Sequence, residues 1–229
     1  MINLPESAKV GRIIAKEKFY GKTDTATKNL FQNEIARITW EYKLAPETIN
    51  LPAKHWPEVE VFRITLKNYE LPTKILKVID SAIPYPILFF VEKGTAKKAV
   101  ICYKEQNQKN ENIAKVDTYF ETEWNDEKLS NIKIDGLDID TVFGNFVRQI
   151  AGERYASINT TTNGNVSTII KDDIEKIKDR EKIQKQIEAL TRKIKSEPSM
   201  GKKQALAEER YKLKQLLWNN ISTIVNRTI

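Results

Sequence analysis

The sequence predicts an α+β fold, a mixed β-sheet with packed helices, followed by a C-terminal antiparallel helical hairpin. Three observations carry this reading. Helical and strand periodicities alternate through the first two thirds of the chain. Ile87-Leu88-Phe89-Phe90-Val91 is apolar on both faces, as a central strand is. The last quarter carries apolar residues at helical spacing on both sides of a break.

The chain divides into an N-terminal arm at 1–26, a body at 27–160, a polar linker at 161–168 and the hairpin with its tail at 169–229. In the body, Phe31, Ile35, Ile38 and Tyr42 form a helical stripe, which predicts a helix over 27–42 that ends near Leu44-Ala45-Pro46. In the block Trp40 to Asn50, Trp40 and Tyr42 end that helix, Pro46 turns the chain, and Thr48 and Asn50 bond backbone. Residues 59–66 alternate, with Glu60, Phe62, Ile64 and Leu66 on one strand face. Leu71-Pro72 opens a second helix through Ile75, Val78 and Ile79. Strands follow at 87–91, 99–104 and 116–124, then a third helix over 137–150 and a short strand at 155–159. In the hairpin, Ile170, Ile174, Ile177, Ile183, Ile187, Leu190 and Ile194 line the first helix. Ser196 to Gly201, with Pro198 inside it, is the turn, and Leu206, Tyr211, Leu213, Leu216 and Leu217 line the second helix.

Composition narrows the function classes. Of 229 residues 30% are charged and 40% apolar, and the formal net charge is +7. Residues 169–218 hold fourteen Lys/Arg against nine Asp/Glu, so the hairpin carries +5 of that charge. A basic excess fits nucleic acid or an acidic partner, whereas charges alternating in sign fit a solvated coiled-coil face. The longest apolar stretch, 83–91, is too short to span a bilayer. The N-terminus carries no basic-then-apolar leader pattern, and Cys102 is the single cysteine, so a cytoplasmic location is expected. One histidine and one cysteine cannot close a zinc site. His55 reads as a loop histidine, Cys102 as a core residue, and no Gly-rich phosphate loop exists. No cofactor is expected.

The arm interleaves cations with aromatics: Arg12, Lys16, Lys18, Phe19, Tyr20 and Lys22. Lys and Arg neutralise phosphates while aromatic rings stack on unpaired bases. Arg12, Lys16, Lys18, Lys22, Arg192, Lys193, Lys195, Lys202 and Lys203 are therefore the candidate nucleic-acid contacts. The hairpin stripe Ile174, Ile177, Ile187, Leu190, Ile194, Leu213 and Leu217 is the candidate partner-binding face.

The order of elements over 71–159 resembles the core of the PD-(D/E)xK nucleases, in which an Asp and a Glu-x-Lys hold a metal beside the attacking water. Here the second strand offers Lys98, Cys102 and Lys104, and the third offers Asp117, Glu121 and Glu123 without a Glu-x-Lys. Glu60 is a further carboxylate on an apolar strand face, placed near the strand end where it would reach water. These four acids are the catalytic candidates under a Mg²⁺-dependent nuclease alternative. A coiled-coil oligomer with no nucleic-acid role is the other alternative.

Leu4-Pro5, Lys16 through Phe19-Tyr20, and Trp40-Glu-Tyr-Lys-Leu-Ala-Pro-Glu-Thr-Ile-Asn50 resemble a bacterial and archaeal family, domain of unknown function number 4391. Ile79-Asp80 with Ile83-Pro-Tyr-Pro86, and Tyr119-Phe-Glu-Thr-Glu-Trp124, look like further blocks of it. The resemblance covers essentially the whole chain. It implies proximity to helicases and DNA methyltransferases in restriction or anti-phage defence, and it carries over no catalytic residue. The expectation is an accessory, non-catalytic subunit that docks a helicase or methyltransferase and contacts DNA, able to self-associate through the hairpin.

Overall fold

The computed structural model of the protein describes residues 4–106, 114–152 and 166–225. Two compact units divide the chain, 1–152 and 153–229. Among the described residues no helix is long and apolar enough to cross a membrane.

Among the described residues the first unit is built on a six-stranded sheet whose strands lie side by side in chain order. They are β1 (Lys9–Ile14), β2 (Ile35–Leu44), β3 (Val59–Leu66), β4 (Ile87–Lys93), β5 (Ala96–Gln106) and β6 (Ala114–Glu121). β3 and β4 are parallel and every other neighbouring pair is antiparallel, so the sheet is mixed, as expected. Parallel neighbours need a crossover, and here it contains the helix Thr73–Ala82.

Helices cover both faces. α1 (Glu17–Tyr20), α2 (Thr25–Glu34) and α4 (Thr73–Ala82) pack on one face. Phe31, Ile35, Ile38, Phe62, Ile64, Ile75, Ile79 and Phe89 form the core there. α3 (Pro46–Ile49) is a single turn after β2. α5 (Ile139–Ala151) covers the opposite face against β5 and β6, with Phe143 stacked on Tyr103 and edge-on to Trp56. Asp138 caps α5 by accepting from Thr141 N at 2.7 Å.

Two expectations are corrected. The helix predicted over 27–42 ends at Glu34, and Ile35 to Leu44 form β2. Phe31, Ile35 and Ile38 are all fully buried, so the stripe was a true burial signal. It crosses from helix to strand, because Ile38, Thr39, Trp40 and Tyr42 are β-formers that pair with strands on both sides, and Ile35 pairs with Leu66 of β3. Trp40 and Tyr42 therefore lie within a strand and end no helix. The arm at 1–26 is also not separate from the body, since Lys9–Ile14 form the edge strand β1. Gly11, at φ +63°, sits in the bulge between Lys9 and Arg12.

Elsewhere the periodicities serve well. β3 spans 59–66 as read, and the remaining elements differ by a few residues. Thr48 Oγ1 does bond the turn, accepting from Ala45 N at 2.8 Å and donating to Lys43 O at 2.7 Å. Asn50 takes the left-handed conformation that ends α3. The strand expected at 155–159, the connection 107–112 and linker residues 161–165 lie outside the described residues.

The second unit is an antiparallel hairpin of α6 (Val166–Ser196) and α7 (Met200–Val225), which pack on each other. The break holds Pro198, as expected, but Gly201 is already inside α7.

Ile38 in β2 is buried, whereas Ile13 in β1 is largely exposed. Ile38→Ala is expected to lower the free energy of unfolding by about 2–5 kcal/mol, and Ile13→Ala by under about 0.5 kcal/mol. Urea denaturation measures both.

Candidate nucleic-acid interface

A buried lysine governs the C-terminal end of α4. Helix C-termini leave carbonyls without partners. The Asp80 carbonyl would normally be bonded by the N–H of residue 84, but Pro84 has none. Lys104 of β5, fully buried, supplies the missing donors. Its Nζ donates to Asp80 O at 2.9 Å, Ile83 O at 2.9 Å and Tyr85 O at 2.6 Å. An ammonium has three protons, and three carbonyls take them. The Asp80 carboxylate sits 2.9 Å from the same Nζ as an ionic neighbour, and its Oδ1 has no hydrogen-bond partner. Tyr119 Oη donates to Asp80 Oδ2 at 2.6 Å. Burial pushes the Asp80 carboxyl up and Lys104 down, each opposed by the other's charge. Burial likewise raises Tyr119.

A second buried acid fixes an aromatic ring. Trp40 Nε1 donates to Glu60 Oε2 at 2.5 Å and to Tyr42 O at 3.1 Å. Glu60 does not reach water as expected; it is buried on β3. Desolvation first, then the neighbouring Glu58, pushes its carboxyl up to about 8, against the opposing effects of Trp40 and Lys43. Lys43 bonds Glu58 at 2.8 Å and Glu47 at 3.2 Å, and these acids hold its ammonium above the ordinary lysine range.

A groove of about 300 Å³ lies between these two anchors, at the β1 edge of the sheet. Arg12, Lys18, Phe19, Trp40, Ala82 and Ile83 line it, with Ile13 and Ile14 of β1. Arg12 pairs with Trp40 across the β1–β2 ladder, and its guanidinium lies 5.4 Å from the indole centroid. The charged side chains of the lining are both cationic. Among the described residues neither is paired with a carboxylate.

Other predicted contacts are placed differently. Lys16 Nζ donates to the Ile35 carbonyl at 2.8 Å, a structural bond. Lys22 is exposed. Tyr20 is buried against Phe31, so it is no stacking surface. Trp40, read as the end of a helix, is the aromatic floor that sequence reasoning missed. Its position opposite Arg12 becomes visible only once β1 and β2 are paired.

Among the described side chains the acidic candidates Glu60, Glu121 and Glu123 form no cluster. Glu60 is on β3 and Glu121 on β6, three strand spacings or about 14 Å apart. Glu121 pairs with Lys98 at 2.8 Å, Glu123 is exposed, and the Asp117 side chain lies outside the described ones. Among the described residues no three His, Cys, Asp or Glu come together to hold a metal. Lys104, at the C-terminal end of a Cys-x-Lys, is spent on carbonyls and cannot orient a water. His55 holds Asp140 Oδ1 at 3.1 Å through Nδ1, while Lys54, His55 and Trp56 N–H groups also donate to that carboxylate. Asp140 thus clasps the 54–56 loop to α5.

In the hairpin, Arg192, Lys193, Lys195, Lys202 and Lys203 are all exposed. The stripe expected to face a partner is largely consumed. Ile174, Ile177, Ile187 and Leu190 are buried, and Ile194, Leu213 and Leu217 are half-buried. Among the described side chains, the large apolar ones that α7 exposes are Met200 (80%), Tyr211 (62%), Leu216 (53%) and Trp218 (67%).

A family model, domain of unknown function (DUF4391), matches residues 2–217, and the chain belongs to that family. No curated protein and no solved structure matches the chain.

Glu60 predicts a pH dependence. A carboxyl raised from 4.5 to about 8 binds more protons folded than unfolded, so its stabilising contribution is full below 4.5 and is lost as pH rises through about 8. Glu60→Gln should flatten that fall relative to the parent in denaturant titrations from pH 5 to 9; parallel curves would refute the burial argument. Lys104→Met with Asp80→Leu removes both charges but orphans three carbonyls. Unlike a simple ion-pair replacement, this double variant should remain destabilised, by about 1–3 kcal/mol per carbonyl left unbonded.

Proposed function

We propose that this member of the DUF4391 family is an accessory, non-catalytic subunit of a DNA-processing or anti-phage defence complex that contacts nucleic acid through its basic surface. The observation that supports this most is the Arg12–Lys18 groove, whose charged lining is cationic and whose floor is aromatic. The buried acids beside it are engaged in holding Trp40 and α4, which supports a scaffold over a catalyst. The hairpin supplies the docking element. Its exposed basic residues add electrostatic affinity, and Tyr211, Leu216 and Trp218 on α7 offer apolar contact to a helicase or methyltransferase partner.

Binding of a labelled DNA oligonucleotide over a salt series tests the reading. Arg12→Gln with Lys18→Gln should weaken binding and lower the slope of log K against log salt by roughly 1–2. An unchanged slope removes the groove from the interface. Tyr211→Ser with Trp218→Ser should reduce co-purification of the partner from cells carrying the native gene neighbours. Undiminished recovery would place docking elsewhere.

A further inference from the structure

We infer that the groove between β1, α1 and the end of α4 is a single-nucleotide stacking site, selective for single-stranded nucleic acid over duplex. This rests on the nucleic-acid reading above and specifies its ligand.

The groove combines features that duplex binding would leave unused. A duplex presents phosphates to a basic patch and keeps its bases stacked inside. Here Arg12 lies over the Trp40 ring, and Lys18, Phe19 and Ile83 complete a lining that is apolar apart from its two cations. At about 300 Å³ it matches the small end of ligand sites. A planar apolar body carrying an anion fits that arrangement, and an unpaired nucleotide is one. Its base packs on the Trp40 and Phe19 side, and Arg12 and Lys18 meet the phosphate.

The floor is preorganised. The indole of Trp40 is held from behind by Glu60 and by the Tyr42 carbonyl. Ile83 is held through its own carbonyl by Lys104. Neither wall needs ordering when a ligand arrives, which lowers the entropic cost of binding; only the Arg12 guanidinium moves, from the ring that it covers to the phosphate. The acid behind Trp40 is buried with its carboxyl pushed up to about 8, so it is held largely neutral at neutral pH and does not repel a phosphate. Glu60 is thus a positioning residue for the ring.

The test compares three anionic probes by fluorescence anisotropy: a ten-residue oligothymidylate, a hairpin duplex and inorganic polyphosphate. Vesicles containing phosphatidylglycerol serve as a fourth. The expected result is preference for the single strand. Trp40→Leu and Phe19→Leu should each weaken it roughly ten- to a hundred-fold, with duplex and polyphosphate binding unchanged. Phe19→Leu, at a half-buried ring, covers the case in which Trp40→Leu does not fold. If all three polyanions bind alike and only loss of Arg12 and Lys18 charge matters, the stacking site is wrong while the basic-surface reading stands. If no oligonucleotide binds, both fall. Preferential binding of vesicles would replace this inference with a lipid-surface one.

Discussion

The ammonium of Lys104 is the contact on which the body's geometry turns. A lysine is buried only when its charge and its protons are both satisfied. Here three carbonyls at the end of α4 take the protons and Asp80 balances the charge. The same contact ties α4 to β5 and, through Tyr119, to β6. It fixes the path of Ile83-Pro84-Tyr85-Pro86 into β4. Pro86 O then accepts from Glu60 N at 2.9 Å, which starts the parallel β3–β4 register at Glu60 and Ile87. One side chain therefore sets a helix end, a turn and the crossover on which the mixed sheet depends.

The second anchor follows from that register. With β3 in place, Glu60 lies behind Trp40 of β2 and receives its indole proton. Two buried acids thus have parallel tasks: Asp80 balances the cation that shapes one wall of the groove, and Glu60 orients the other. Neither lines the groove, whose charged lining residues are the cations Arg12 and Lys18. That division suits binding an anion.

Local pattern made much of this legible. β3, α4, α5 and the hairpin follow from period-2 and period-3.6 spacing, and β4 from an unbroken apolar run buried on both faces. β2 was hidden because Phe31, Ile35, Ile38 and Tyr42 keep a helical spacing while the chain passes from helix to strand. β1 was hidden because it is short, basic and interrupted by Gly11. The anchors were out of reach for a different reason. Lys104 meets residues about twenty positions earlier, and Glu60 meets Trp40 twenty positions away, distances no periodicity encodes. One local clue existed: Pro84 four residues after Asp80 announces a carbonyl in need of a donor. The hairpin stripe illustrates the reverse error. Spacing finds buried residues, but it does not say whether a sister helix or a foreign partner buries them.

The Glu60 anchor and the surface groove meet at a single atom, the indole nitrogen of Trp40. Two-dimensional NMR of the tryptophan Nε1–H signals, assigned by single substitution, tests that junction. The Trp40 signal should titrate with Glu60 near pH 8, and it should shift when oligothymidylate is added. A Trp40 signal indifferent to both, with the oligonucleotide shifting only Trp218 in the hairpin, would contradict the account.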